Sequence, residues 1–433
     1  MPPHGQGFGP ASPPVSTQAF RAPGNPPPGP MLRRGPRPLS LHLMGSMMRA
    51  MAAMQPAQGT TWLTASLPSN AAWPRSRAGR EKRAEIASRL AELGASPEAF
   101  QAAVFGKLLE QDRALLKGIA AYRRHPHART LADPPAIWAE GAARILDFGG
   151  TGTPVLFVPS LVNRAHVLDL DEGASMLRFL AGQGLRPLLL DWGWPGPAER
   201  RFTLTDVVAG RLERAITAMP QPVVLAGYCM GGLLALGAAL RRPDRVRALA
   251  LLATPWDFHA EDPVRARALA SLLPGFEPVM ETMGALPVDA LQVLFAALEP
   301  FGVAQKYRAF ARLDPDSARA RRFVALEDWL NDGIPLPAPV ARETLGGWYG
   351  RNDTARGEWL LAGLPVRPQS WAGPAFVAIP ERDRIVPPAS SAPLAAMPGA
   401  TLHRAASGHI GMVAGEGAER ALWRPFLDWV RGL

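Results

Sequence analysis

The chain has 433 residues, 47% of them hydrophobic, so it can bury a large core in one domain with appendages or in two domains. Its net charge of +10 comes mainly from residues 1–150, which hold 18 Lys and Arg against 9 Asp and Glu. These cations stand among prolines and methionines without aromatic partners, which argues against a nucleic-acid-binding protein. Cys229 is the only cysteine, which excludes an intrachain disulfide and a Cys-based zinc site and favours a reducing compartment such as the cytoplasm.

The first 140 residues are predicted to form a leader and a helical layer. Residues 1–38 are rich in Pro and Gly and poor in large apolar side chains, which predicts a disordered leader. Residues 39–140 are predicted to be helical, with a methionine-rich amphipathic helix over 39–54 that either packs on the body of the protein or lies on a hydrophobic surface. Further helices are expected within 79–124, where Ser96 is placed as an N-cap. No segment is long and apolar enough to predict a transmembrane helix.

From residue 144 onward, short apolar runs alternate with helical patterns, which is typical of a mostly parallel α/β sheet. This α/β domain is expected to span 141–433. Its predicted strands are 144–148, 155–158, 187–191, 223–226, 246–253, 375–379 and 401–405. Predicted helices lie at about 172–182, 204–218, 231–241, 389–397 and 416–431. The glycine-rich stretch 149–152 joins two strands and lacks a P-loop lysine, so it is predicted to be a simple turn.

The alternation is interrupted between about 256 and 373 by helical patterns, in a segment too long for a loop. This segment is interpreted as a helical cap inserted into the sheet domain and shaping an acyl pocket. Phe323, Trp329 and Trp348 are expected mainly in the core of the cap, with substrate lining as the alternative.

The stretch 223–240 carries the most informative motif, GYCMGG, between a predicted buried strand and an Ala/Leu-rich helix. This is the nucleophile elbow pattern GxSxG with Cys229 in place of serine. Gly227 and Gly231 are expected where a Cβ would collide with neighbouring backbone. The start of the following helix adds partial positive charge and free N–H groups beside the sulfur. The alternative is that Cys229 is a buried structural cysteine on a glycine-rich turn.

A thiol nucleophile needs a base, and the base needs an orienting acid. In the α/β-hydrolase topology these follow the nucleophile in the order acid, then histidine, on loops after late strands. Asp383 follows the predicted strand 375–379, and His409 follows 401–405. The sequence therefore predicts a catalytic triad of Cys229, Asp383 and His409.

The oxyanion hole of this topology uses the N–H of the residue after the nucleophile and an N–H from the loop after an early strand. The first donor is Met230. For the second, Leu161 and Val162 are the candidates in the loop after the predicted strand 155–158.

Six blocks occur in one order along the chain: FVPSLVNRAHVLDL, LLLDWGWPGP, GYCMGG, LEDWLNDGIPLP, ERDRIVP and SGHIG. Together they resemble the polyhydroxyalkanoate synthase family of the α/β-hydrolase superfamily. The resemblance implies an acyltransferase that acts on (R)-3-hydroxyacyl-CoA thioesters and releases CoA. It implies that Cys229 accepts the acyl group, that His409 is the general base, and that Asp383 is its partner or an activator of the incoming hydroxyl. The family usually has histidine after the motif aspartate, where this chain has Arg384.

Three functional hypotheses remain open from the sequence. The first is polyester synthesis, which suits a cysteine because a thioester intermediate forms readily from a CoA thioester. The second is a hydrolase of the same fold, either a thioesterase or a polyester depolymerase, and the third is an inactive structural protein of a polyester granule. No cofactor and no metal are expected, with CoA entering as part of the substrate. The expected location is cytoplasmic, with a polyester granule surface and a homodimer as further expectations.

Overall fold

The computed structural model describes residues 33–54, 77–298 and 302–433. Its centre is an eight-stranded sheet. The strands of this sheet are β1 Ala136–Glu140, β2 Ala143–Asp147, β3 Pro154–Val158, β4 Arg186–Asp191, β5 Val223–Tyr228, β6 Val246–Leu252, β11 Ala375–Pro380 and β12 Ala400–Ala405. They lie side by side in the order β1-β2-β4-β3-β5-β6-β11-β12. All seven predicted strands are therefore present in one sheet. The glycine-rich stretch 149–152 is a connection between β2 and β3, as predicted.

The sheet is parallel from β4 to β12, and β2 is antiparallel to both of its neighbours. The sequence analysis did not predict β1, which lies inside the region expected to be helical. Its side chains are exposed or half-buried, because it is an edge strand that pairs only with β2. The limits of the predicted domains stay a prediction, but the sheet itself begins at Ala136.

Two apolar layers cover the faces of the sheet. Along β5, Leu225 packs into one layer, whereas Val224 and Ala226 pack into the other, as the period of two in a strand requires. The α-helices next to the sheet are α4 Met176–Gly182, α5 Glu213–Thr217, α6 Met230–Arg241, α13 Pro388–Ser391, α14 Gly411–Ala414 and α15 Arg424–Arg431. Short 3₁₀ and π turns occupy Ala165–Leu168, Glu199–Arg201, Asp206–Leu212, Ala392–Ala396 and Glu419–Trp423.

The segment between β6 and β11 lies outside the sheet and is mainly helical, as expected for a cap. Its α-helices are α7 Pro263–Ala270, α8 Leu273–Met283, α9 Val288–Leu298, α10 Gly302–Phe310, α11 Ala318–Asn331 and α12 Ala338–Arg342. A π-helical segment follows at Glu343–Arg351, and a 3₁₀ turn lies at Pro368–Ser370. Two small antiparallel pairs join β7 Ala285–Leu286 to β8 Leu336–Pro337, and β9 Leu360–Leu361 to β10 Leu364–Pro365.

In the part of the chain that the structure describes, three helices precede the sheet: α1 Leu39–Met54, α2 Arg77–Glu92 and α3 Pro97–Arg124. Ser96 caps α3 as predicted, because its hydroxyl accepts a hydrogen bond from the N–H of Ala99 at 3.2 Å.

The structure corrects part of the prediction that residues 1–38 form a disordered leader. Residues 33–38 make specific contacts with the body of the protein, whereas residues 1–32 lie outside the described part. Arg33 binds Asp328 of α11 at 2.6 Å and donates to the carbonyl oxygens of His125 and His127. Arg37 contacts Asp289 of α9 at 2.8 Å and also binds Asn331. The composition of this segment did not predict these contacts, because they are polar and join residues that are distant in sequence.

Helix α1 packs on α3 through its polar side. Ser46 is buried, and Arg49 pairs with Asp112 of α3 at 3.3 Å. Leu39 packs against an apolar cluster that includes residues of α3 and α10, whereas six other large apolar side chains are exposed: Leu41, Leu43, Met44, Met47, Met48 and Met51. The helix therefore both packs on the protein and presents an apolar face outward. Within the described ranges, no helix combines the length and apolarity that crossing a membrane would require.

Candidate active site

Cys229 lies in the sharp turn between β5, which ends at Tyr228, and α6, which begins at Met230. Cys229 has φ 56° and ψ −129°, a backbone conformation that is costly for a residue with a side chain. Its N–H donates to the carbonyl of Leu252 on β6 at 2.9 Å, and its own carbonyl accepts from the N–H of Gly232 at 2.9 Å. These bonds hold the strained residue at the carboxyl end of the central strand.

The elbow glycines, Gly227 and Gly231, are required because other parts of the backbone approach them closely. A Cβ on Gly227 would overlap the backbone of Gly231 and Gly232. A Cβ on Gly231 would overlap the carbonyl oxygen of Val158, the last residue of β3. The absence of these side chains lets the loop after β3 pack directly against the start of α6.

Asp383 and His409 come together behind the elbow. The Nδ1 atom of His409 lies 2.6 Å from Oδ2 of Asp383, and both residues are almost fully buried. The other carboxylate oxygen, Oδ1, accepts the N–H groups of Ile385 and Val386, both at 2.9 Å. The carboxylate is thus fixed by backbone donors and holds the imidazole in one orientation.

The imidazole of His409 is set between two anionic partners. Burial by itself would lower the pKa of His409, but the negative charge of Cys229 and the hydrogen bond to Asp383 outweigh it and raise this pKa from 6.5 to about 10. A hydrogen bond with the Cys229 sulfur contributes in the same direction. The arrangement therefore favours the protonated form of the His409 imidazole.

Tyr228 supports the histidine from the elbow itself, a role that the sequence analysis did not assign. Its ring centroid lies 5.2 Å from that of His409, and its hydroxyl donates to the His409 carbonyl at 3.3 Å. The position of Tyr228 directly before Cys229 was visible in the motif, but its contact with a loop 181 positions away was not.

The two candidates for the second oxyanion donor differ in position. Val162 and Ser160 line the same cavity as Cys229 and Met230, whereas Leu161 is buried and does not line it. Val162 is therefore the better placed of the two. Its N–H lies 3.4 Å from the Ser160 hydroxyl, a long contact that leaves the group able to bind a stronger acceptor.

Cys229 lies in a cavity of about 110 Å³ between the sheet and the cap. The lining is mainly apolar and comes largely from cap residues, including Phe258, Leu269, Leu286, Leu291, Leu294, Phe295, Leu298, Leu336, Leu345, Trp348 and Tyr349. Such a lining suits an aliphatic acyl chain. A more polar groove adjoins the cavity and is lined in part by Arg384.

Of the three aromatic residues singled out in the cap, only Trp348 lines the cavity. Phe323 stacks on Phe310 in a separate cluster of the cap, and the indole N–H of Trp329 donates to the carbonyl of Arg164 at 2.7 Å. Tyr349 also lines the cavity and was not singled out, because a tyrosine within a cap helix carries no sequence signal for a site.

Comparisons with known proteins agree with this geometry. A model of the α/β-hydrolase fold family matches residues 153–415. Poly(3-hydroxyalkanoate) polymerase subunit PhaC of Synechocystis is 32% identical over 295 residues, which cover 64% of this chain and 77% of that protein. This chain belongs to the poly(3-hydroxyalkanoate) polymerase family.

Two further members of that family show the same extent of similarity. The PhaC subunit of Allochromatium vinosum is 28% identical and is covered to 80%. The PhaC subunit of Haloferax mediterranei is 29% identical, and the match covers 58% of its length. In each case 64% of this chain is matched. The predicted family and the predicted α/β-hydrolase fold are thereby confirmed.

Proposed function

We propose that this chain makes a polyester from (R)-3-hydroxyacyl-CoA thioesters through an acyl-enzyme on Cys229, with release of CoA. The observation that carries the proposal is the thiol of Cys229 at the elbow with the His409–Asp383 pair behind it. Membership of the poly(3-hydroxyalkanoate) polymerase family supports polymer synthesis as the outcome.

In the first step, the sulfur of Cys229 attacks the thioester carbonyl of the substrate. A new C–S bond forms to Cys229, the C–S bond to CoA breaks, and the His409 imidazolium gives its proton to the departing CoA thiolate. The developing oxyanion accepts hydrogen bonds from the N–H groups of Met230 and Val162.

In the second step, the 3-hydroxyl of another acyl unit attacks the acyl group on Cys229. His409 takes the hydroxyl proton as the C–O bond forms, and the C–S bond to Cys229 breaks. The result is an ester and a regenerated thiolate beside an imidazolium ion. Asp383 keeps the imidazole oriented and stabilises its charged form, and activation of the incoming hydroxyl by Asp383 is the alternative assignment.

Both steps can proceed without a metal or an organic cofactor. CoA enters as part of the substrate and leaves as a thiol. His409 supplies and recovers each proton, and the backbone N–H groups bear the transient negative charge. The chemistry therefore needs only the groups placed around Cys229.

The testing experiment incubates the purified chain with (R)-3-hydroxybutyryl-CoA, follows CoA release with a thiol reagent and identifies the acyl product. Insoluble polyester is the expected product. Release of free hydroxy acid would instead indicate a thioesterase built on this scaffold. Absence of CoA release with short and long acyl chains would contradict an acyl-transferring enzyme.

We also propose that α1 brings the enzyme to the surface of its own apolar product, a cytoplasmic polyester granule. Met44, Met48 and Met51 are 60%, 66% and 54% exposed, and flexible methionine side chains adapt well to irregular apolar surfaces. Replacing these three residues with Gln should reduce co-sedimentation with polyester particles, whereas Gln at the exposed Val264 of α7 should not. Equal co-sedimentation of the two variants would contradict this role.

We also propose that the chain forms a homodimer, and light scattering of the purified protein tests this.

A further inference from the structure

Among the described residues, three hydroxyl-bearing side chains line the cavity around Cys229: Ser160, Thr344 and Tyr349. The Ser160 hydroxyl accepts only a long contact of 3.4 Å from the N–H of Val162, and the Thr344 hydroxyl donates to the carbonyl of Ala341 at 3.1 Å. The hydroxyl of Tyr349 has no hydrogen-bond partner within the described residues. A phenol left without a partner in an apolar cavity points to a polar atom of the ligand.

The indole N–H of Trp348 is also unpaired within the described part of the chain. It is not an equivalent candidate, because its nitrogen is completely buried. The Trp348 ring stacks on Phe258 and meets Trp359 edge to face.

The position of Tyr349 is fixed from two sides. Its carbonyl accepts a hydrogen bond from Nε2 of His259 at 2.8 Å, and its ring packs edge to face on Phe258 with the centroids 4.8 Å apart. Burial, together with the negative charge of Cys229, raises the pKa of the phenol to about 12. Tyr349 and Cys229 line the same cavity. With its raised pKa the phenol stays protonated at neutral pH, so Tyr349 acts as a hydrogen-bond donor and not as a base.

A 3-hydroxyacyl thioester carries three polar centres near the reacting carbon. The carbonyl oxygen is bound by backbone N–H groups, and the CoA sulfur receives its proton from His409. The 3-hydroxyl remains, and burying it in an apolar cavity without a partner is unfavourable.

We infer that the Tyr349 hydroxyl binds the 3-hydroxyl oxygen of the acyl group and thereby selects 3-hydroxyacyl over simple acyl thioesters. The inference rests on the proposed function. Because Tyr349 donates to the oxygen, the hydroxyl proton of the substrate stays available to His409. Tyr349 is thus a specificity-determining residue.

The test compares (R)-3-hydroxybutyryl-CoA with butyryl-CoA, which lacks only the 3-hydroxyl. CoA release is followed with enzyme in excess, so that one acylation of Cys229 is observed for each substrate. In Tyr349→Phe, the preference for the hydroxylated substrate should fall about 10-fold, the usual contribution of one neutral hydrogen bond. Acylation by butyryl-CoA should stay within about twofold of wild type, which also reports that the variant is folded.

Tyr307→Phe is the matched control. Tyr307 is a fully buried tyrosine of α10 that does not line the cavity, so removing its hydroxyl should leave the preference unchanged. An unchanged preference in Tyr349→Phe, or equal slowing with both substrates, would overturn the inference while leaving the proposed function intact. A wild-type enzyme that releases CoA from neither substrate would overturn both.

Discussion

In the proposed mechanism, Cys229, His409 and Asp383 act as a unit, because Asp383 orients His409 and His409 exchanges protons with the reacting groups at Cys229. Removing the thiol in Cys229→Ala should reduce CoA release by at least about 10³-fold, since no other nucleophile lies at the elbow. His409→Ala should leave only trace activity, because the thiolate then lacks its counter-ion and the leaving CoA lacks its acid. The rates are measured with the thiol reagent, and unfolding curves show whether the variants are folded. Wild-type rates in Cys229→Ala would refute the assignment.

We expect the sulfur of Cys229 to affect the measured pKa of His409. Because the pKa of His409 is raised from 6.5 to about 10, its protonation stabilises the folded state. That stabilisation is fully present below pH 6.5 and is lost as the pH rises through about 10. In Cys229→Ala the negative neighbour is gone, so the pKa of His409 should fall.

NMR titration of imidazole carbons in histidine-labelled protein measures this pKa, and His409→Gln assigns the signal. A pKa of His409 that is the same with and without the Cys229 sulfur would show that the two groups are not coupled.

At the scale of elements, the elbow depends on how closely α6 approaches β3. Gly231→Ala would place a methyl group against the carbonyl of Val158, and backbone cannot yield as a flexible side chain does. The free energy of unfolding should therefore fall by about 3 kcal/mol or more. Gly106→Ala in α3 is the control, because its Cβ meets no atom within 4 Å, and it should gain about 0.5–1 kcal/mol.

Denaturant unfolding of both alanine variants compares these effects. If Gly231→Ala were as stable as Gly106→Ala, the close contact between the loop after β3 and α6 would not exist in solution.

At the scale of the whole molecule, residues 33–38 connect the N-terminal helices to the cap. Arg33 bridges the end of α3 to α11, and Arg37 reaches α9, whose side chains line the cavity. Arg33→Ala should lower the free energy of unfolding by about 1–3 kcal/mol, because Asp328 loses its cation in a partly buried setting. Arg34→Ala is the matched control, since Arg34 is exposed, and it should change stability by less than about 0.5 kcal/mol.

Denaturant unfolding of the full chain measures both variants. Equal stability of Arg33→Ala and Arg34→Ala would mean that the contacts of Arg33 contribute nothing measurable to the stability of the fold.

The local order of residues was enough to predict seven strands of the sheet and the α/β-hydrolase fold, and to single out Cys229, Asp383 and His409 as candidate site residues. These features follow from short-range periodicity, from glycines at fixed offsets and from the strand ends at which polar residues stand. The exposed edge strand β1 escaped prediction, because pairing with β2 and not its own side chains makes it a strand.

Only the tertiary structure decided which residues meet. The contact of Tyr228 with His409, the unpaired hydroxyl of Tyr349 beside Cys229 and the attachment of residues 33–38 to the cap all join segments distant along the chain. The orientation of α1 is another feature that only the tertiary structure decides. Its composition marks it as amphipathic, but only the structure shows that Arg49 pairs with Asp112 of α3 and that the methionines of α1 are exposed. Such contacts depend on the packing of whole elements, which no local pattern of residues encodes.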